Sequence, residues 1–168
     1  MATRQIAYGA WTSLTVTNLQ SLASSATAGW QSARISNLSA LAIDYEIAIK
    51  LPMANTAAAN DKCVYPFISK AVTTDGGTTW VQDDQGTTTM PTGTEGTTTI
   101  GTAGGNLSQA TALVYTATQQ TIQKSFMLST VLGNTMPDGF SIILINYTGA
   151  ALSTGCVVAY RAITETIS

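Results

Sequence analysis

The side chains that could do chemistry are few and poorly matched to one another. Histidine is absent from all 168 residues. That removes the commonest general base and metal ligand and makes a Ser-His-Asp or Cys-His arrangement impossible. Two cysteines, Cys63 and Cys156, are too few for a zinc site of the usual kind or for a disulfide framework. Both sit in apolar segments and read as buried free thiols, with a long-range bridge as the lesser alternative. Asp75, the pair Asp83-Asp84, and Glu95 could supply calcium ligands or a glycosidase carboxylate pair. Their spacing fits no calcium loop, and solvated loop acids are the plainer reading. Asp44 and Glu46 share the polar face of one strand, as a sheet surface or subunit contact would require. Gly101 to Gly105 has neither the Lys-Ser/Thr nor the helix of a phosphate loop. Catalysis is therefore not expected, and no cofactor or metal is implied.

Three tryptophans, Trp11, Trp30 and Trp80, offer a different chemistry. Exposed rings stack on sugars, but a tryptophan in a β-protein more often fills a core or an interface. Basic residues do not cluster: Arg4, Arg34, Lys50, Lys62, Lys70, Lys124 and Arg161 are scattered, and the net charge is −2. A phosphate-binding surface needs the opposite, so nucleic acid is not an expected partner. Only 10% of residues are charged while 45% are apolar, which gives weak colloidal repulsion. Such a surface suits a chain packed against neighbours. The first residues carry no apolar signal region, no run is long enough to span a membrane, and the sequons at Asn37, Asn106 and Asn146 carry no weight without secretion.

The elements that must position these residues are strands. The chain holds 29 threonines, and Thr favours pleated, half-exposed positions. Leu41, Ile43, Tyr45, Ile47, Ile49 and Leu51 alternate strictly with Ala42, Asp44, Glu46, Ala48 and Lys50. Period two over that length predicts a strand with one buried face, which Pro52 ends. Cys63 to Thr73 reads as another strand, with Pro66 marking an edge or bulge. The turn signal Asp75-Gly76-Gly77 joins it to Thr78–Val81 as a hairpin. Phe140 to Tyr147 is apolar on both faces, as for a central strand. Gln31–Asn37, Ala112–Ala117, Lys124–Leu132 and Cys156–Ile163 complete the set. The expected fold is all-β: a single-domain, jelly-roll-like β-sandwich of about eight strands.

Two segments stand apart. Residues 1–12 read as an amino-terminal arm or first strand ahead of the 13–168 sandwich. Residues 83–106 read as a projection, because nine of the sixteen residues from Thr87 to Thr102 are Thr and long structureless loops are rare inside domains. Candidate partner contacts are accordingly Ile6, Tyr8, Trp11, Trp80, Thr97, Thr98 and Thr99.

The carboxy-terminal third carries a resemblance. Phe126-x-Leu128 leads to Met136-Pro137-Asp138-Gly139-Phe140-Ser141-Ile142, then Ile145-Asn146-Tyr147-Thr148-Gly149-Ala150-Ala151-Leu152 and Thr154-Gly155-Cys156. Together with Ser21–Ala33 near the front, this resembles small bacteriophage virion proteins over about a third of the chain. The resemblance implies a β-sandwich that coats or cements a capsid or sits in the tail apparatus. It brings no catalytic residues. Expected partners are then the major capsid protein or other virion proteins, with self-association as dimer or trimer, in a particle assembled in the host cytoplasm. The alternative is a receptor- or glycan-binding module of a tail fibre or spike.

Overall fold

A computed structural model describes residues 3–85, 91–101, 105–133 and 135–167. Thirteen strands occur among them: β1 (Arg4–Tyr8), β2 (Thr12–Ser13), β3 (Ala28–Gln31), β4 (Ile35–Ser36), β5 (Asp44–Pro52), β6 (Cys63–Val72), β7 (Val81–Gln82), β8 (Gly96–Thr99), β9 (Ser108–Gln109), β10 (Leu113–Val114), β11 (Thr121–Met127), β12 (Gly139–Tyr147) and β13 (Val157–Ile167). One short helix, α1 (Ser129–Leu132), follows β11.

The strands form two sheets. The first runs β1-β13-β5-β11, with β2 also on β13; the second runs β10-β6-β12-β3-β8, with β4, β7 and β9 as short additions. Leaving out β8 and the two-residue additions, the chain passes between sheets in the order of a jelly roll. Every pairing is antiparallel. The all-β sandwich expected from the sequence is the fold.

The core between the sheets follows from alternation. Tyr45, Ile47, Ile49 and Leu51 of β5 point inward and are buried, as the period-two pattern requires. They face Phe140, Ile142 and Leu144 of β12, and the Tyr45 and Phe140 rings meet edge to face at 5.1 Å. Each such side chain contributes about 1.5–3 kcal/mol on burial. Strand β5 begins at Asp44, so Leu41 and Ile43, which the alternation placed in the strand, fall outside it. Leu41 has a positive φ of 44° and is 76% exposed. Asn37 instead shapes this approach: its Oδ1 accepts from Ala42 N and from the Tyr45 hydroxyl, both at 2.8 Å.

Strand β12 is central, bonded to β6 along nine residue pairs on one side and to β3 and β4 on the other. Its second face, Ile143 and Ile145, is also buried, in a separate cluster with Ile100. Pro66 sits beside Leu144 in this ladder. Its carbonyl accepts from Ala110 N, so its missing N–H faces the short strands and leaves the β12 ladder intact. That side of β6 is broken into β9, β10 and β7. The hairpin predicted around Asp75 is present: Ala71 pairs with Gln82 and Val72 with Val81. Both cysteines are free thiols: Cys63, half-buried and not buried as expected, opens β6 of the second sheet, and buried Cys156 immediately precedes β13 of the first.

The resembling motif holds the fold together. Asn146 is fully buried. Its Nδ2 donates to Leu22 O (3.0 Å) and Ala150 O (2.8 Å), and its Oδ1 accepts from the Thr148 hydroxyl (2.7 Å). Gly149 has φ +80° and lies against Ala59, where a Cβ would come within 2.4 Å of the Ala59 Cβ.

Candidate functional site

The candidate contacts divide between the two sheets. Strand β1 forms an edge of the first sheet, bonded on one side to the carboxy-terminal half of β13. All five of its residues are exposed. A strand whose two faces and outer edge are all open is unusual, because an unpaired edge templates association. Ile6 and Tyr8 are each 60% exposed, Trp11 is 46% exposed and Ile167 is 74% exposed. Two residues of the predicted arm, Met1 and Ala2, lie outside the described residues.

Arg161 organises this surface. Register places it opposite Glu46, on the outward face of β13 and β5. Its Nε donates to Glu46 Oε2 at 2.8 Å, and a second guanidinium nitrogen lies 2.6 Å from the same oxygen. The guanidinium carbon is 4.7 Å from the Tyr8 ring centroid and 4.9 Å from that of Trp11. Cation–π attraction thus gathers the two rings over one charge. Farther along, Arg4 pairs with Glu165 across the β1–β13 ladder. The outer face continues into a shallow groove lined by Ala48, Lys50, Gln123, Ser125 and Val157. Neither Arg161 nor its role is visible in the sequence. The signal the sequence does carry is a pair of charged residues, Arg161 and Glu165, at even spacing in the final strand.

The other contacts lie elsewhere. Trp80 is half-buried beside β7. Its Nε1 donates to Gly77 O at 2.8 Å, Arg34 stacks on its ring at 4.6 Å, and the ring packs against Gly139. Its hydrogen-bonding and packing capacity is spent inside the molecule. Thr97, Thr98 and Thr99 belong to β8, at the far edge of the second sheet. Thr97 and Thr99 are exposed, whereas Thr98 is buried and donates its hydroxyl to Gln85 Oε1 at 2.7 Å.

The described part of the predicted projection folds back. Strand β8 pairs with β3, from Gly96 opposite Gln31 to Thr99 opposite Ala28. Ile100 and Leu107 cover Ile143 and Ile145 on the outer face of the second sheet. Residues 86–90 and 102–104 of that stretch lie outside the described residues. Glu95 fastens it to the core. One carboxylate oxygen accepts from the indole of fully buried Trp30 (2.7 Å) and from Asn18 N (2.8 Å); the other accepts from Asn18 Nδ2 (2.9 Å). Burial works against the charge on Glu95, but these hydrogen bonds outweigh it and hold its carboxyl below the usual range.

The remaining acids also have structural partners. Asp75 Oδ1 accepts from Thr79 N, Thr78 N and the Thr73 hydroxyl. The Thr79 backbone bond leads these contacts, which hold its carboxyl down to about 2. Asp83 pairs with Lys70, and Asp84 accepts from Asn106 Nδ2. Among the described residues no three His, Cys, Asp or Glu side chains are grouped to hold a metal ion. Among the described residues no helix is long and apolar enough to cross a membrane. No known protein family, curated protein or solved structure matches the chain.

Proposed function

We propose that this chain is a non-enzymatic structural component of a phage particle, decorating or cementing the capsid through many weak subunit contacts. The observation that carries the reading is the open strand β1. Its residues, Tyr8 among them, are exposed on both faces, and it lies beside exposed Trp11 and Ile167. A free edge offers N–H and C=O groups to a neighbour, and exposed apolar residues give that contact its hydrophobic content. On a repeating lattice, weak contacts add through effective concentration. The resemblance of the carboxy-terminal third supports the phage context, as does the jelly roll, a fold recurrent among capsid and lectin domains. The partner in this reading is the major capsid protein or another virion protein.

Tyr8 and Trp11 favour one further reading, a glycan- or receptor-binding module. They present exposed rings beside a charged, hydrogen-bonding pair. One set of measurements separates the two. Under the structural reading, purified heads contain the protein in a stoichiometric, repeating ratio, and heads stripped of it lose resistance to heat or low salt. Equal robustness, with the protein absent from heads, overturns that reading. Glycan-array binding that Trp11→Ala abolishes establishes the second.

A further inference from the structure

Strand β1 exposes a defined set of backbone groups. Gly9 N donates to Ala162 O at 2.8 Å, and Tyr8 stands opposite Ile163. In an antiparallel ladder, residues bonded to the partner strand alternate with residues that are not. Gly9, Ala7 and Gln5 therefore spend their N–H and C=O groups on β13. Tyr8, Ile6 and Arg4 turn theirs to the open edge, where no other described strand pairs with them.

We propose that this edge takes the β1 strand of a second copy, antiparallel, about a two-fold axis through Ile6. The inference rests on reading β1 as an assembly edge and names what meets it. Parity restricts the choice of register, because only Arg4, Ile6 and Tyr8 have outward-facing backbone groups. The register that uses all three sets Ile6 against Ile6 of the partner, and Arg4 against the partner's Tyr8 on each side. It forms six backbone hydrogen bonds, two per facing pair. It is also the register with complementary side chains. Two isoleucines that are 60% exposed in the single chain meet each other. Each Arg4, its charge balanced by its own Glu165, lies beside the partner's Tyr8, whose ring carries Arg161. A shift that set Arg4 against the partner's Arg4 would oppose like charges and give up most of the hydrogen bonds. The product is one sheet continuous across both copies, and the contact is isologous, so it closes as a dimer.

The test uses the full chain. Sedimentation of the wild type should give twice the 17.5 kDa chain mass. Ile6→Pro removes an outward N–H without touching the β13 ladder. It should sediment as a single chain, keep the far-UV circular dichroism of the wild type, and melt with a midpoint that no longer rises with protein concentration. Register is read by single cysteines in a Cys63→Ser background with a short bis-maleimide. Ile6→Cys should cross-link to dimer, because facing residues lie about 5.5 Å apart. Tyr8→Cys should cross-link at least ten-fold less, because each copy is then four residues, about 14 Å, from its mate. A wild-type dimer that Ile6→Pro leaves intact, or equal cross-linking at both positions, overturns the pairing. A wild type that stays single at every concentration overturns it too. If such a chain is still found stoichiometrically in heads, only the self-pairing has failed; if it is absent from heads, the assembly reading has failed with it.

Discussion

The two sheets share a core but treat their outer faces in opposite ways. On the second sheet, Ile143 and Ile145 point away from the core and are nonetheless buried, because Ile100 and Leu107 lie over them. On the first sheet, the outward face of β1, β13 and β5 buries Ile163 but leaves Ile6 and Tyr8 exposed beside half-buried Arg161, with no strand among the described residues laid over it. The covering on one side comes from the Thr- and Gly-rich stretch, tied down by Glu95 and by β8. The lesson is that an apolar outer face is provided for within the chain on one side and left for a neighbour on the other.

The comparison breaks first at Ile143. Ile143→Ala should cost about 2–5 kcal/mol in chemical denaturation, as for a fully buried side chain. Ile6→Ala, on the bare face, should stay within about 0.5 kcal/mol when both proteins are compared at a dilution where they are single chains. Similar losses at both would mean that the two faces are equally committed to the fold.

A smaller effect belongs to Glu95. Glu95→Ala should cost about 1.5–3 kcal/mol, the scale of a charge-assisted hydrogen bond, and should shift the fluorescence of Trp30. The carboxyl is held below its ordinary 4.5. Its contribution is therefore full above the unfolded value and is lost as pH falls through the lower folded value. The wild type should lose this increment on acidification, while Glu95→Ala should show no such step. An unchanged acid limb in the variant would remove Glu95 as the fastening of the covered face.

The smallest effect is at Asp75, in the exposed loop between β6 and β7. Its folded value of about 2 lies below the ordinary 3.8. The contribution is thus complete above that ordinary value and fades as pH falls toward about 2. Asp75→Asn should flatten that part of the acid limb and lower the midpoint at neutral pH by the same small increment, the two proteins converging as pH falls toward about 2. Hydrogen exchange at Thr78 and Thr79 amides should rise in the variant.

Much of the scaffold was legible because side-chain period is a local property. Tyr45 to Leu51 alternate in sequence and are buried in alternation. The doubly apolar run at Phe140 to Tyr147 is the central strand. The pattern overran at Leu41 and Ile43, where the turn made by Asn37 replaces the strand. The Thr/Gly stretch misled for a physical reason. Its low apolar content suggests a projection, but Ile100, Leu107 and Glu95 suffice to dock it once a sheet face exists to receive them. Trp80 likewise could not be told from a surface ring until Arg34 and Gly139 were seen against it.

The amino-acid order by itself determined that the chain is built of strands, which strand runs through the middle, and that histidine chemistry is excluded. It did so because alternation and residue type act over a few neighbours. Tertiary structure decided that Tyr8 and Trp11 meet at Arg161, and that one outer face is roofed while the other is open. The first depends on pairing residues more than 150 positions apart, as Ile6 with Glu165, and the second on β8 finding β3, as Thr99 with Ala28. No local pattern encodes such a pairing, since it is selected by the packing of the whole sandwich.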